Sequence, residues 1–252
     1  MNIPLDVNYI EATMLVGVRL TAFLFLAPPF SYNAIPARIK GMLAIGLALA
    51  VSPAATRNYH PLDTPEFLGA LVLELVVGAV LGTLVMVVFS AVQAAGGLVD
   101  MFGGFSMAQG FDPMSMINGA QFTRLFQMTA IALMFTSGAY QIILGGLTRS
   151  FTAFPLGGGI AMGAPAEALT KGVTQMFLAS VQIAGPLLVI LFLADAGLGL
   201  LTRVAPALNA FAMGFPLKIM LTLSLVAVIF VALPQIVSTL TGQAISVLAG
   251  VG

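Results

Sequence analysis

The sequence predicts an all-α, polytopic membrane-type protein, and three observations carry that expectation. Of 252 residues, 60% are hydrophobic and only 7% are charged, against roughly a quarter charged in ordinary soluble domains. The mean hydropathy is +1.08. The apolar residues gather into six runs, near residues 9–28, 41–55, 67–95, 122–147, 173–194 and 217–240. Spanning a bilayer takes around 20 apolar residues. Four runs reach that length, the first barely does, and the second is short. Helix is the form that satisfies every backbone group inside a run when no water is at hand, because open strands leave donors unpaired in lipid. The alternating ten-residue segments of a transmembrane barrel are missing from the sequence.

The breaks between runs are written in proline and glycine, since proline removes a backbone donor and clashes with the preceding turn. Pro28-Pro29 closes the first run, and Pro53, Pro61 and Pro65 punctuate the second connection. The third connection is the longest, from Gly96 to Gln121. Gly157-Gly158-Gly159 with Pro165 marks the fourth, and Pro206 and Pro216 the fifth. Pro186 and Pro234 fall inside apolar runs and predict kinked or broken helices there. Residues 1–252 read as a single domain. The first ten residues carry Asp6 and no Lys or Arg, so the positive region of a signal peptide is missing and the first run is expected to persist. The cations of alternate connections (Arg38, Lys40, Arg203 and Lys218 against Arg57, Arg149 and Lys171) divide four to three. The first set belongs in the cytoplasm by a margin of one, a weak bias that suits helices that are not all simple spans.

Composition also limits chemistry. Net charge is zero, which supplies no basic field for nucleic acid. There is no cysteine, and the single histidine, His60, lies in a proline-rich connection near Asp63. One imidazole without thiolates is a poor metal site and a poor general base. The glycines at 157–159 lack the strand–turn–helix setting of a phosphate-binding loop. No cofactor, metal or catalytic group is assigned.

Charge is concentrated in a few places. Arg19 lies mid-run in the first apolar segment and Glu74 in the third. A charge at bilayer depth costs roughly 3 kcal/mol on insertion scales, so each requires a protein neighbour or a polar path, with each other as one choice. A structural ion pair is the plainer reading and a proton or ion relay the functional one. Asp195, Arg203 and Lys218 punctuate residues 194–219, together with glycines, prolines and Asn209. They are candidates for buried or intersubunit charges. The stretch from Gly96 to Gln121 mixes glycine with Met101, Phe102, Phe105, Met107, Phe111, Met114 and Met116. Glycine frees the backbone and methionine gives an adaptable apolar surface, a combination suited to a soft gasket, or to a packed interhelical turn. Gln121, Arg124 and Gln127, and Lys171, Gln175 and Gln182, form polar stripes at helical spacing. Gly78 and Gly82 match a small-xxx-small pattern for close helix approach.

The order and spacing of several pieces resemble the FliR family of flagellar type III export-gate proteins, related to the SctT/YscT proteins of injectisomes. They are Arg19, Ala27-Pro28-Pro29-Phe30 and Ile35-Pro36-Ala37-Arg38-Ile39-Lys40 near the N-terminus. In the middle come Ala94-Ala95-Gly96, Asp100, Gly104-Phe105-Ser106-Met107-Ala108 and Phe111-Asp112-Pro113, then Ser150-Phe151 and Phe154-Pro155-Leu156-Gly157. Near the C-terminus stand Ala205-Pro206-Ala207-Leu208-Asn209-Ala210-Phe211 and Gly214-Phe215-Pro216-Leu217-Lys218, the latter more flagellar than injectisome in character. Departures fall at Met101, where many relatives have Gln, at Thr136 to Tyr140, and at Pro206-Ala207.

The resemblance implies a subunit that assembles with FliP-like and FliQ-like chains, and beside an FlhB-like switch protein, in the bacterial inner membrane at the flagellar basal body. Such an assembly is raised towards the periplasm and conducts unfolded flagellar proteins. The resemblance also implies that the long loop is a pore plug. Its residues here are Gly103, Gly104, Phe105, Met107, Phe111, Asp112, Pro113, Met114 and Met116. The chain would then have no enzymatic activity of its own and draw on the proton-motive force and a cytoplasmic ATPase. The alternatives are a small secondary transporter using Arg19 and Glu74, which requires an internal repeat not found in the sequence, and an injectisome subunit.

Overall fold

The computed structural model describes residues 7–55, 59, 61–105, 120–158, 163–205 and 210–250. These residues form seven helices: α1 (Val7–Leu26), α2 (Ala37–Ala55), α3 (Thr64–Phe102), α4 (Gln121–Thr136), α5 (Ala139–Ala153), α6 (Gly163–Val204) and α7 (Ala210–Gly250). No strand occurs among them. Five helices, α1, α2, α3, α6 and α7, are long and apolar enough to cross a membrane, and α4 with α5 makes a sixth if the pair is one broken span.

Local chemistry explains the ends. Helix α3 starts after Asp63, whose carbonyl accepts from the Phe67 amide at 2.8 Å. Pro65 then occupies the first turn, where no amide donor is needed, and Glu66 meets the positive end of the helix dipole. The same helix stops at Gly103, whose amide donates to Val99 O (2.8 Å), and at Gly104, which has φ +83°. Glycine suits that left-handed exit because it carries no Cβ.

Four sequence expectations change. The long connection starts at Gly103, because Gly96 to Phe102 continue α3. The fourth apolar run is two helices, divided at Gly138 (φ 74°). Pro186 and Pro234 do not break their runs, since α6 and α7 continue through both. Pro216 also lies within α7, and Asp195 with its neighbouring glycines lies within α6. The change of element in that region falls between Val204 and Ala210. An interior proline costs one backbone hydrogen bond, and the favourable burial along a 41- or 42-residue helix is spread over many turns.

The helices pack as two compact units. The first unit comprises residues 1–88, 135–173 and 240–252, the second residues 89–134 and 174–239. Helices α3, α6 and α7 contribute residues to both. In the first unit, α1 and α2 pack as a hairpin whose Tyr9 and Ser52 hydroxyls are 2.8 Å apart. Its core includes Leu20, Phe23, Leu81, Ile143 and Leu147, all buried. Tyr59 donates to Glu11 Oε2 at 3.4 Å, and burial beside that carboxylate raises its phenol above the ordinary value. The second unit buries Val92, Val99, Phe126, Leu187 and Leu233, and edge-to-face rings link Phe122 to Phe126 and Phe126 to Phe230.

The outer faces are as apolar as the cores. Met42, Ile45 and Leu49 on α2, Phe192 and Leu193 on α6, and Val228 and Val231 on α7 are all exposed, Val231 at 84%. A monomer in water does not carry apolar surface on that scale. These faces require lipid or other protein.

The tight packing in the first unit yields a test. A Cβ at Gly78 would stand 2.2 Å from the Arg19 carbonyl oxygen, whereas one at Gly46 on α2 meets nothing within 4 Å. Gly78→Ala is expected to cost at least the about 1–3 kcal/mol of an overpacked contact. Gly46→Ala should be neutral or stabilising by up to about 1 kcal/mol, through helix propensity. Thermal denaturation of the two variants in the same detergent checks the difference.

Candidate functional site

Two sites stand out, one in each unit. In the first, Arg19 and Glu74 pair with each other. Both side chains are buried, Arg19 at 0% exposure and Glu74 at 1%. The guanidinium engages the carboxylate twice, through Nε to Oε2 and Nη2 to Oε1, the latter at 3.0 Å. Gly78 and Gly82, one and two turns beyond Glu74, let α3 lie against α1 closely enough for this reach.

The remaining donors go to α5. Nη2 donates to Phe154 O at 2.9 Å, and Nη1 faces Ser150 O and Oγ at 3.3 and 3.4 Å. Those atoms sit in the last turn and C-cap of α5, the negative end of its dipole, where a cation is favoured. Phe151 places its ring 4.2 Å below the guanidinium carbon, a cation–π contact. On the other side, Glu74 Oε1 accepts from the Gly157 amide at 3.2 Å. Arg19 therefore joins α1, α3, α5 and the turn after α5, and every guanidinium nitrogen has an acceptor.

Chemically this arrangement is a clamp. Every guanidinium nitrogen of Arg19 and both carboxylate oxygens of Glu74 are engaged. The geometry favours the ion-pair reading over the relay.

The second site is the neck of the long loop. Gly103 and Gly104 turn the chain out of α3, and Phe105 sets its ring edge-to-face on Phe122, with centroids 5.0 Å apart. Helix α7 flanks the turn. A Cβ on Gly103 would stand 2.8 Å from Thr222 Oγ1, and one on Gly104 would stand 3.4 Å from the Phe215 ring. The Thr222 hydroxyl is buried and has no hydrogen-bond partner among the described residues. Below the turn, buried Asp100 accepts from the start of α4. Met107, Phe111, Asp112, Pro113, Met114 and Met116, which the sequence grouped with this neck, lie outside the described residues.

The other sequence candidates are separate from both sites. Lys218 pairs with Asp195 at 2.7 Å, joining α7 to α6 in the second unit. Asp195 and Arg203 are exposed in this single chain. Arg203 occupies the last turn of α6, where the helix dipole favours a cation. Lys171 forms an exposed pair with Glu167 at 2.6 Å. His60 lies outside the described residues. Among the described residues no three His, Asp or Glu side chains gather as metal ligands.

Sequence reasoning did not find the acceptors of Arg19 at the end of α5: two are the backbone carbonyls of Ser150 and Phe154, which leave no residue signature, and the third is the Ser150 hydroxyl. It also did not find the Asp100 contact. One signal for that contact was available: Ala120 precedes α4 and has no side-chain oxygen to cap it.

An α-helical chain with apolar outer faces and a fully engaged buried ion pair is of the integral-membrane class. Residues 10–244 match the family described as bacterial export proteins, family 1, and the chain belongs to that family. It is 30% identical to the flagellar biosynthetic protein FliR of Escherichia coli (strain K12), over 93% of this chain and 90% of that protein. It is 31% identical to the FliR of Bacillus subtilis (strain 168), over 98% of each. It is also 30% identical to the Yop proteins translocation protein T of Yersinia pestis, over 71% of this chain and 70% of that one.

The clamp predicts a pattern of mutational coupling. Arg19→Leu or Glu74→Leu alone leaves a buried, uncompensated charge and is expected to cost about 3–5 kcal/mol. The double Leu variant should lose clearly less than the sum. The charge swap, Arg19→Glu with Glu74→Arg, should recover little, because the new carboxylate would face the carbonyls of Ser150 and Phe154. Unfolding midpoints of the four variants check this, and simple additivity of the Leu pair would contradict the coupling.

Proposed function

We propose that the chain is a structural and gating subunit of the flagellar type III protein export channel, in the bacterial inner membrane at the basal body. The observation that carries this is the family match over residues 10–244, with flagellar relatives aligned along nearly the whole chain. The apolar outer faces support it, because they suit neighbouring subunits as well as lipid. FliP-like and FliQ-like chains are the proposed partners in the conduit, an FlhB-like protein the neighbouring switch, and unfolded flagellar proteins the cargo. The chain acts as one export-gate domain, with helices α3, α6 and α7 running through both of its units. No catalytic step is assigned to it. The energy for export comes from the proton-motive force and a cytoplasmic ATPase.

In this reading residues 103–116 form the plug. Gly103 and Gly104 give the loop its turn, and Phe105, Met107, Phe111, Met114 and Met116 its adaptable apolar surface, with Asp112-Pro113 between them. Arg19–Glu74 and Asp195–Lys218 are the internal ties of the subunit, and Arg203 remains available to a partner. An injectisome role is the second reading, favoured by the match to the Yersinia pestis protein. The flagellar reading is preferred because its relatives cover more of the chain.

Two measurements test the proposal. Deleting residues 103–116 should leave the subunit incorporated but make the membrane leaky to ions or small solutes, and a tight membrane would remove the gasket role. In mild detergent the chain should copurify with FliP- and FliQ-like proteins. A secondary transporter would instead run alone or as a small homo-oligomer.

A further inference from the structure

The start of α4 has an unusual cap. The first amides of a helix have no partner within it, and the residue before the helix ordinarily supplies a side-chain oxygen to the second or third of them. Here that residue is Ala120, whose carbonyl already accepts from the Arg124 amide at 3.1 Å. Its methyl group offers nothing to Phe122 and Thr123. Their amides turn to Asp100, twenty-two and twenty-three residues earlier on α3. Phe122 N donates to Oδ1 at 2.9 Å, and Thr123 N and Oγ1 both donate to Oδ2 at 2.9 Å. Asp100 is only 4% exposed, and its charge faces the positive end of the α4 dipole.

The approach is built into α3. Gly96 lies one turn before Asp100 on the same face, and a Cβ there would stand 2.6 Å from Thr123 Cα and 2.7 Å from Phe122 O. Any larger residue would push α4 off the carboxylate. Above Asp100, Phe105 packs on Phe122, so Phe122 is held from two levels.

We infer that Asp100 is a positioning residue that caps α4 in trans and thereby fixes the separation of the two helix ends from which the long loop departs. One carboxylate serves as the terminal cap of one helix while being rooted in the other. The separation of α3 and α4 at this point is therefore set by hydrogen bonds 2.9 Å long, and not only by apolar contact, which tolerates sliding. Its consequence for export rests on the reading of residues 103–116 as a plug, whose two points of attachment Asp100 would then hold at a fixed distance.

The experiment uses the full chain in the purified export complex. The sequence has no cysteine, so Met101→Cys and Leu125→Cys place spin labels on exposed positions of α3 and α4. The label distance distribution should be narrow with Asp100 present. It should broaden in Asp100→Ala, broaden less in Asp100→Asn, which keeps one acceptor, and hardly change in Thr123→Val, which removes only the hydroxyl. Solute leak through cells carrying the same variants should follow that order, rising roughly tenfold for Asp100→Ala, the loss of about 1.4 kcal/mol at the neck. Asp100→Ala should add no leak once residues 106–119 are deleted.

An unchanged distance distribution in Asp100→Ala overturns the inference, whatever the leak. A leaky loop deletion with a tight Asp100→Ala overturns it alone. A tight loop deletion overturns the plug reading, and the export consequence with it, while the distance measurement still decides the cap. If Asp100→Ala is poorly incorporated, Asp100→Asn carries the same comparisons. Equal loss of incorporation by both substitutions, with or without the loop, would show a purely structural residue and overturn the inference.

Discussion

The buried ion pair of Arg19 and Glu74 is the constraint around which the first unit is arranged. Removing two full charges from water is expensive, and mutual attraction repays it only when every remaining donor is also met. That condition accounts for the features around the pair. Gly78 and Gly82 are small so that α1 and α3 can touch. Helix α5 ends where its last carbonyls meet the guanidinium, and the turn after it folds back to give Glu74 an amide. Phe151 covers the exposed face of the cation. An apolar pair of the same volume could fill the space, but without the directionality that registers three helices and a turn at once.

The second unit solves a related problem with dipoles in place of a countercharge. Asp100 is buried among backbone amides, and the charge is stabilised by the end of a helix that lacks a cap of its own. Thr222, in contrast, has a buried hydroxyl beside Gly103 with no partner among the described residues. In both units a buried charge is answered at several atoms.

Outside these two sites the protein is written for apolar surroundings. Long helices with exposed Met, Phe and Val have no reason to turn those faces inward when lipid or sister subunits cover them. Membership in the bacterial export protein family gives this pattern its context. A subunit of an assembly needs internal order only where its own helices must register, and the ion pair and the trans cap stand at those places.

Much of this was legible in the amino-acid order. Hydropathy alone establishes helices and membrane-type surroundings, since uninterrupted apolar runs near 20 residues have few other solutions. The isolation of Arg19 and Glu74 in such runs already demanded partners. The glycine spacing at 78 and 82 marked a close crossing, and the glycine–methionine–phenylalanine stretch marked an unusual loop. What the order of residues left open was decided by contacts distant in the chain. Arg19 finds acceptors 131 and 135 residues away, in backbone carbonyls that any residue type supplies. Pro216 reads as a break, and Pro186 and Pro234 as kinks or breaks, yet all three lie inside continuous helices, because packing along the rest of the helix outweighs one lost hydrogen bond. Asp100 reads as a loop residue and is instead the last polar group of α3, turned to the start of α4. Pattern along the chain tells which groups cannot be left alone, but only the folded arrangement of helices decides which partner reaches them, because that depends on distances no local spacing encodes.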